Sequence, residues 1–207
     1  DSTRGTSKVL QTDANSAEST SSGLTSFDSD GYSMGTYYNQ SGRDYVSWNW
    51  RANGGTTSTN SDGSTNSTVQ ANTAAGFSII SYTGNGSNRT IGHGLDSAPE
   101  FMLIKNRDTT DNWIVYHVDQ GAANRSQTNT GVAFGSSSAS FQSTAPSDSV
   151  ITLGTSSGTN KSGDEYICYA WHSVEGYCKV STFTGTGFGD GAFVNTGFRP
   201  RLIILKR

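Results

Sequence analysis

Apolar residues along this chain recur at every second position in short runs, and glycine, serine, threonine and asparagine separate the runs. Tyr45–Trp50 sets Val46, Trp48 and Trp50 against Tyr45, Ser47 and Asn49. Tyr166–Trp171 sets Ile167, Tyr169 and Trp171 against Tyr166, Cys168 and Ala170. A period of two places alternate side chains on opposite faces of a strand, so both runs are predicted strands. The larger residues recur at one parity, which puts Val46, Trp48 and Trp50, and likewise Ile167, Tyr169 and Trp171, on the inward face. Further strands are expected at Lys8–Thr12, Tyr32–Met34, Phe77–Tyr82, Thr90–Gly92, Glu100–Lys105, Asn112–His117, Val132–Phe134, Ala139–Gln142 and Val150–Leu153. Phe101–Ile104 is apolar at both parities and reads as a central strand covered on both faces. No stretch has the pattern of a helix of useful length. Many short strands joined by polar turns predict an all-β chain built as an antiparallel β-sandwich.

The strands are repeated. Gly76–Gly86 (Gly-Phe-Ser-Ile-Ile-Ser-Tyr-Thr-Gly-Asn-Gly) returns as Gly176–Gly187, Pro99–Lys105 returns without a gap as Pro200–Lys206, and Ser41–Trp50 matches Ser162–Trp171. This predicts tandem β modules: residues 1–53 as the C-terminal part of a first repeat, 76–175 as a complete central repeat, and 176–207 as the N-terminal part of another. Residues 54–75 lack apolar periodicity and read as a Gly/Ser/Thr/Asn-rich linker or long hairpin loop. The sister copy joins the same two strands through Ser173–Glu175 alone, and loop closure entropy rises slowly enough with length to tolerate such an insertion.

Composition narrows the function classes. Only 32% of the 207 residues are hydrophobic and 15% charged, with 25 glycines and a net charge of −3. Low hydrophobicity without charge repulsion fits a thin core in which aromatics supply much of the buried area rather than a disordered chain. There is no basic stripe to neutralise phosphates, so nucleic acid is not an expected partner. No run approaches the roughly 20 apolar residues that cross a bilayer, so membrane insertion is not expected either.

Candidate chemistry is sparse. His93 lies between glycines, but its sister position is Thr196, so a turn side chain bonding to backbone is expected rather than a catalytic base. His117 and His172 have no ligand spacing around them, and Asp28-Ser29-Asp30-Gly31 lacks the later ligands of a calcium loop; no metal and no cofactor are expected. The carboxylates Asp44, Asp164, Glu165, Glu100 and Glu175 are dispersed, and Glu100 becomes Arg201 in the sister copy; no catalytic residue is expected. Cys168 and Cys178 flank a predicted turn at Ser173–Gly176 and would face one another if the flanking strands paired. Their sister positions are Ser47 and Ser78, so two unpaired thiols are the favoured reading and a cross-strand disulfide the alternative. Sugar recognition requires an exposed aromatic face ringed by amide and hydroxyl groups. Tyr37, Tyr38 and Asn39 lie in a loop whose sister, Ser156–Lys161, has no aromatics, and they are the first ligand-binding candidates; Trp113 and Tyr116 are second-rank candidates that also suit a core.

The string Thr90–Arg107, together with Ser26–Tyr32, Tyr45–Gly54 and Asp190–Pro200, resembles repeat modules of tail-fibre and other virion surface proteins of tailed phages, notably phages of marine bacteria. These phrases cover most of the chain. The resemblance implies concanavalin-like β-sandwich modules on the outside of a particle, with no defined catalytic residues. The resulting expectation is a structural, host-surface-binding segment of an extracellular fibre, located on a virion or outside a cell. Its expected partners are copies of itself or other fibre subunits, and a host cell-surface glycan. The alternatives are a bacterial surface adhesin or extracellular filament subunit and, more weakly, a polysaccharide depolymerase appendage.

Overall fold

A computed structural model describes residues 1–206. Two small ribbons come first, β1 (Lys8–Val9) with β2 (Ser19–Thr20) and β3 (Leu24–Phe27) with β4 (Tyr32–Met34). Then follow β5 (Ser58–Asn60), β6 (Ser67–Asn72), β7 (Phe77–Thr83), β8 (Arg89–Gly92), β9 (Phe101–Asn106), β10 (Ile114–His117), β11 (Asn124–Gln127) and β12 (Gly135–Ser136). The short helix α1 (Ser138–Phe141), β13 (Val150–Leu153), α2 (Ser157–Asn160) and β14 (Glu165–Trp171) complete the fold. Eight strands form one antiparallel sheet in the order β12-β11-β10-β9-β14-β7-β6-β5, and β8 pairs with β13 as a separate ribbon. The fold is therefore β-rich; its helices among the described residues are two four-residue α-helices and three 3-10 turns.

β14 is the spine of the large sheet. It pairs along its whole length with β7, Trp171 opposite Phe77 and Glu165 opposite Thr83, and on its other side with β9, Cys168 opposite Ile104. One face of the sheet carries Ile80, Tyr82, Met102, Ile104, Ile114, Tyr116, Tyr166, Cys168 and Ala170. The β8–β13 ribbon with Ile91, Ile151 and Leu153, and Phe141 from α1, cover that face. Each fully buried aliphatic here contributes roughly 1.5–3 kcal/mol from removal of its surface from water. The opposite face carries a smaller cluster of Phe77, Ile79 and Ile167 with Tyr169 and Trp171, covered by Ala52 and Leu10 from the N-terminal segment. Phe101–Asn106 is central in the sheet as its two-sided apolar pattern predicts, with Met102 and Ile104 in the main core.

Several expectations change. The main core takes the other parity of β14: Tyr166, Cys168 and Ala170 face it, and Ile167, Tyr169 and Trp171 face the minor cluster. Large size misled the parity argument because β14 is covered on both faces, so both of its parities are packed. Tyr45–Trp50 joins no strand; Val46 is 77% and Trp48 63% exposed, whereas Trp171 is held within the sheet. β14 already has β7 and β9 at its two edges, so the copied sequence finds no vacant edge there. Of the two readings of residues 54–75, linker or long hairpin loop, the stretch holds a hairpin, β5–β6, and its second strand extends the sheet beside β7, Val69 opposite Ile80. Ala139–Gln142 overlaps helix α1 instead of a strand, with Phe141 its buried anchor, and Val132–Phe134 forms no strand. The residues of the expected third unit that are described, 176–206, form no strand beyond a single bridge from Val174 to Cys178.

That bridge also settles the thiols. Chain reversal after β14 is taken up by the tight Val174–Cys178 turn, and β14's edges belong to β7 and β9, so Cys178 never comes to face Cys168. Both cysteines are free, Cys168 buried in the core and Cys178 half-buried.

Candidate functional site

The Gly35-Thr36-Tyr37-Tyr38-Asn39 stretch follows β4 directly. Gly35 is extended, with φ −83° and ψ 177°, and Thr36–Tyr38 then makes one 3-10 turn closed by Asn39 N donating to Thr36 O at 3.4 Å. The turn is clamped to the β3–β4 ribbon by Gly35 N donating to Gly23 O at 2.9 Å. The Tyr38 ring lies against the backbone of Gly23, where an added Cβ would meet ring carbon Cδ2 at 2.0 Å. Tyr37 packs edge-to-face on Tyr38, with ring centroids 4.8 Å apart at 86°. The nearby Gln40 N donates to the Tyr45 hydroxyl at 3.4 Å. Tyr38 is thus the anchor and Tyr37 the presented ring, 60% exposed, with exposed Asn39 and Gln40 beside it. An aromatic face with amide donors and acceptors at its rim can stack on a pyranose and hydrogen-bond its hydroxyls.

Trp113 and Tyr116 are elsewhere and serve differently. Trp113 is 2% exposed, stacks on Tyr169 at 6.3 Å, and its indole Nε1 donates to Gln11 O at 2.7 Å. Tyr116 is 1% exposed and sits edge-on to Phe141 at 5.5 Å. Packing on both faces of the sheet buries them, so neither offers a surface to a ligand, and the second-rank assignment is corrected to a structural one.

A second polar surface was hidden in the stretch read as a linker. Thr59 of β5 stands opposite Thr68 of β6, and Thr68 opposite Ser81 of β7, giving a row of hydroxyls across three strands. At its end Thr83 Oγ1 donates to Glu165 Oε1 at 2.6 Å. With Asn66 these residues line an open groove of about 350 Å³. The Ser-Thr alternation in Ser58–Asn60 and Ser67–Val69 was the available signal, masked by the polar composition around it.

His93, Glu100, Asp164 and Cys168 are committed to structure. His93 is buried; its Nδ1 accepts from Leu95 N at 3.1 Å and its Nε2 donates to Ser147 O at 3.1 Å, which fixes the neutral tautomer. Burial holds its pKa below the ordinary 6.5, against the Ser147 hydrogen bond, which favours the charged form. The turn role expected for His93 is what these bonds describe. Glu100 accepts from Ser173 N at 2.8 Å and from the Ser173 hydroxyl. Asp164 accepts from Asn106 Nδ2 at 2.8 Å and from Lys161 Nζ at 3.0 Å; these partners, Asn106 first, hold its carboxyl below the usual range. Burial pushes the Cys168 thiol well up, which makes it a poor nucleophile. Among the described residues, no three His, Cys, Asp or Glu side chains converge to hold a metal ion, and no helix is long and apolar enough to cross a membrane.

No curated protein and no solved structure matches this chain. A family model described as a domain of unknown function, DUF7483, matches residues 1–207 from end to end, and the chain belongs to that family.

Proposed function

We propose that this chain is a structural and surface-binding segment of an extracellular fibre, of the kind found on the tails or surfaces of phage particles. Its β modules are concanavalin-like sandwiches in tandem, and it touches a cell-surface glycan through the turn at Tyr37–Asn39. The observation that carries the binding part is the Tyr37 ring. It is exposed and braced edge-on by Tyr38, whose own ring is seated on Gly23. A rigid aromatic face loses little conformational entropy on binding. The fibre part is supported by the internally repeated strand sequences and by the likeness of Thr90–Arg107 and its companion phrases to phage fibre repeats. Ionisable groups tied into turns and ion pairs favour a scaffold and binder over a depolymerase. Copies of the chain or other fibre subunits are its partners in assembly.

A glycan array tests the reading, run with the wild-type protein and the Tyr37→Ala variant. The expected result is retention on a subset of glycans and a loss of at least about tenfold, or ~1.4 kcal/mol, for the variant. Absence of binding to any glycan, or equal binding by the variant, overturns the glycan assignment. Release of new reducing ends from a bound polysaccharide overturns the assignment as a binder without catalysis.

A further inference from the structure

Two segments outside the large sheet carry the sequences of three strands inside it. The head segment, Ser41–Trp50, copies the approach to β14 and the strand itself; the tail segment copies β7 at Gly176–Ser181 and β9 at Pro200–Lys206. In the sheet β14 lies between β7 and β9, with Cys168 opposite Ile80 on one side and Ile104 on the other. By sequence, Ser47 corresponds to Cys168, Val180 to Ile80 and Leu205 to Ile104. The head therefore holds a middle strand, and the tail holds the two strands that flank it.

Neither segment has found that arrangement here. Val46, Trp48, Phe183, Ile203, Ile204 and Leu205 are all exposed. Among the described residues, no backbone hydrogen bond joins 43–52 or 180–206 to a strand or to each other. Apolar segments whose N–H and C=O groups pair with no strand are a template for another strand. The chain's own head is poorly placed to serve its own tail. Trp50 packs on Trp171 at 5.9 Å and on Phe77 at 6.4 Å, and Asn72 Nδ2 donates to Arg51 O at 3.0 Å, which holds the end of the head over β14, β7 and β6. Thr182 Oγ1 donates to Asp119 Oδ2 at 3.0 Å, and Lys206 Nζ to Thr130 O at 3.1 Å. Those contacts run the tail along the β10–β11 side. From β14 to β10 is two strand spacings, about 10 Å, and from β7 three, about 14 Å.

We infer that the head of one copy inserts between the two tail strands of a second copy, rebuilding the β9-β14-β7 order across the junction. The register follows from the central sheet. Ser47 lies opposite Leu205 and Val180, Trp48 opposite Ile204, and Asn49 opposite Ile203, by analogy with the pairs of Cys168, Tyr169 and Ala170. Val46 and Trp48 then share a face with Ile204, so side chains exposed in the single chain cover one another. Every copy donates a head and accepts one, a heterologous contact that propagates as a head-to-tail series. This names the partner in the fibre reading above and rests on it, in that assembly of copies is what the reading calls for.

The test mixes two variants of the full chain, Ser47→Cys and Leu205→Cys, both in a Cys178→Ser background, under mild oxidation. The expected result is a disulfide-linked dimer in the mixture at least about tenfold above the out-of-register control, Ser47→Cys with Ile204→Cys, because neighbouring residues on a strand point to opposite faces. Asn49→Cys with Ile203→Cys repeats the test at a second pair should the first variants fold poorly by circular dichroism. A mixture with no dimer above control at either pair overturns the inference. So does cross-linking of the double variant Ser47→Cys/Leu205→Cys as a monomer, which assigns the head to its own tail. Glycan binding is read separately: loss of the cross-link with glycan binding intact removes the junction alone, and a cross-link without glycan binding removes the binding reading alone.

Discussion

Arg107 grips Glu18 with two parallel hydrogen bonds, Nε to Oε2 at 2.9 Å and Nη2 to Oε1 at 3.1 Å. Arg4 Nη1 adds a third at 2.8 Å to Oε2, and Glu18 N donates to Arg107 O at 2.7 Å. The carboxylate is nearly buried, so the bidentate pair fastens the N-terminal segment onto the end of β9. Leu10, which helps cover the minor cluster, and the Gln11 carbonyl that caps the Trp113 indole both lie in the segment so held.

Replacement of Glu18 by Gln removes the counter-charge that Arg107 and Arg4 share, leaving Arg4 with Asp1 at 2.7 Å and Arg107 with Glu165 at 3.9 Å. The expected cost is about 2 kcal/mol, from weakened charged hydrogen bonds at a nearly buried carboxylate. Thermal or urea unfolding gives the total, and hydrogen exchange should show the loosening concentrated in residues 1–20.

Acid should act in two stages. Protonation of His93 places a hydrogen on Nδ1 against the Leu95 N–H it now accepts from, and burial opposes the charge. Its folded pKa is depressed below 6.5, so the unfolded chain takes up the proton first and stability falls as pH drops below that value. For Glu18, burial alone would raise the pKa, but the hydrogen bonds from Arg107 and Arg4 prevail and set it at about 2, from 4.5. Its contribution is fully present above 4.5 and is lost as pH falls towards 2. Unfolding midpoints against pH should show the upper limb vanish in His93→Gln and the lower limb vanish in Glu18→Gln.

Gly84 closes the β7–β14 end through Gly84 N to Asp164 O at 2.7 Å and Gly163 N to Gly84 O at 2.9 Å. A Cβ there would fall 2.0 Å from the Lys161 carbonyl oxygen, a backbone atom with no rotamer to yield. Gly84→Ala should destabilise by about 1–3 kcal/mol in equilibrium unfolding. Gly185, its sister, has nothing within 4 Å of such a Cβ, so Gly185→Ala should be near neutral.

Thiol titration separates the two cysteines. Cys178 is half-buried and should react with a disulfide reagent in the folded protein, whereas Cys168 should react only on unfolding. Cys168→Ser should cost about 1–3 kcal/mol by burying a hydroxyl among Ile80 and Ile104.

The central strands were legible because their apolar residues leave little freedom. Phe77–Thr83, Phe101–Asn106 and Glu165–Trp171 all form close to where alternation puts them. What alternation could not supply was occupancy. Tyr45–Trp50 has the same pattern as β14, but a strand forms only where a free edge is offered, and β14 itself fills the place between β7 and β9. β6 was hidden because its buried positions include Ser67 and Gln70, polar residues that read as linker. Phe141 alone could not set a period, so the turn of helix around it read as a strand. Tyr37 stood out because its sister loop has no aromatic; Trp113 and Tyr116 did not separate from core, since aromatic type alone does not report burial.

The central claim is that a braced, exposed tyrosine on a β scaffold does the recognising. Titration calorimetry with the strongest glycan from the array tests it most directly, comparing wild type, Tyr37→Trp and Tyr37→Ala at matched melting temperatures. The account predicts that the Trp variant binds within about threefold of wild type while the Ala variant weakens by at least about tenfold. Equal affinity for all three proteins would contradict it.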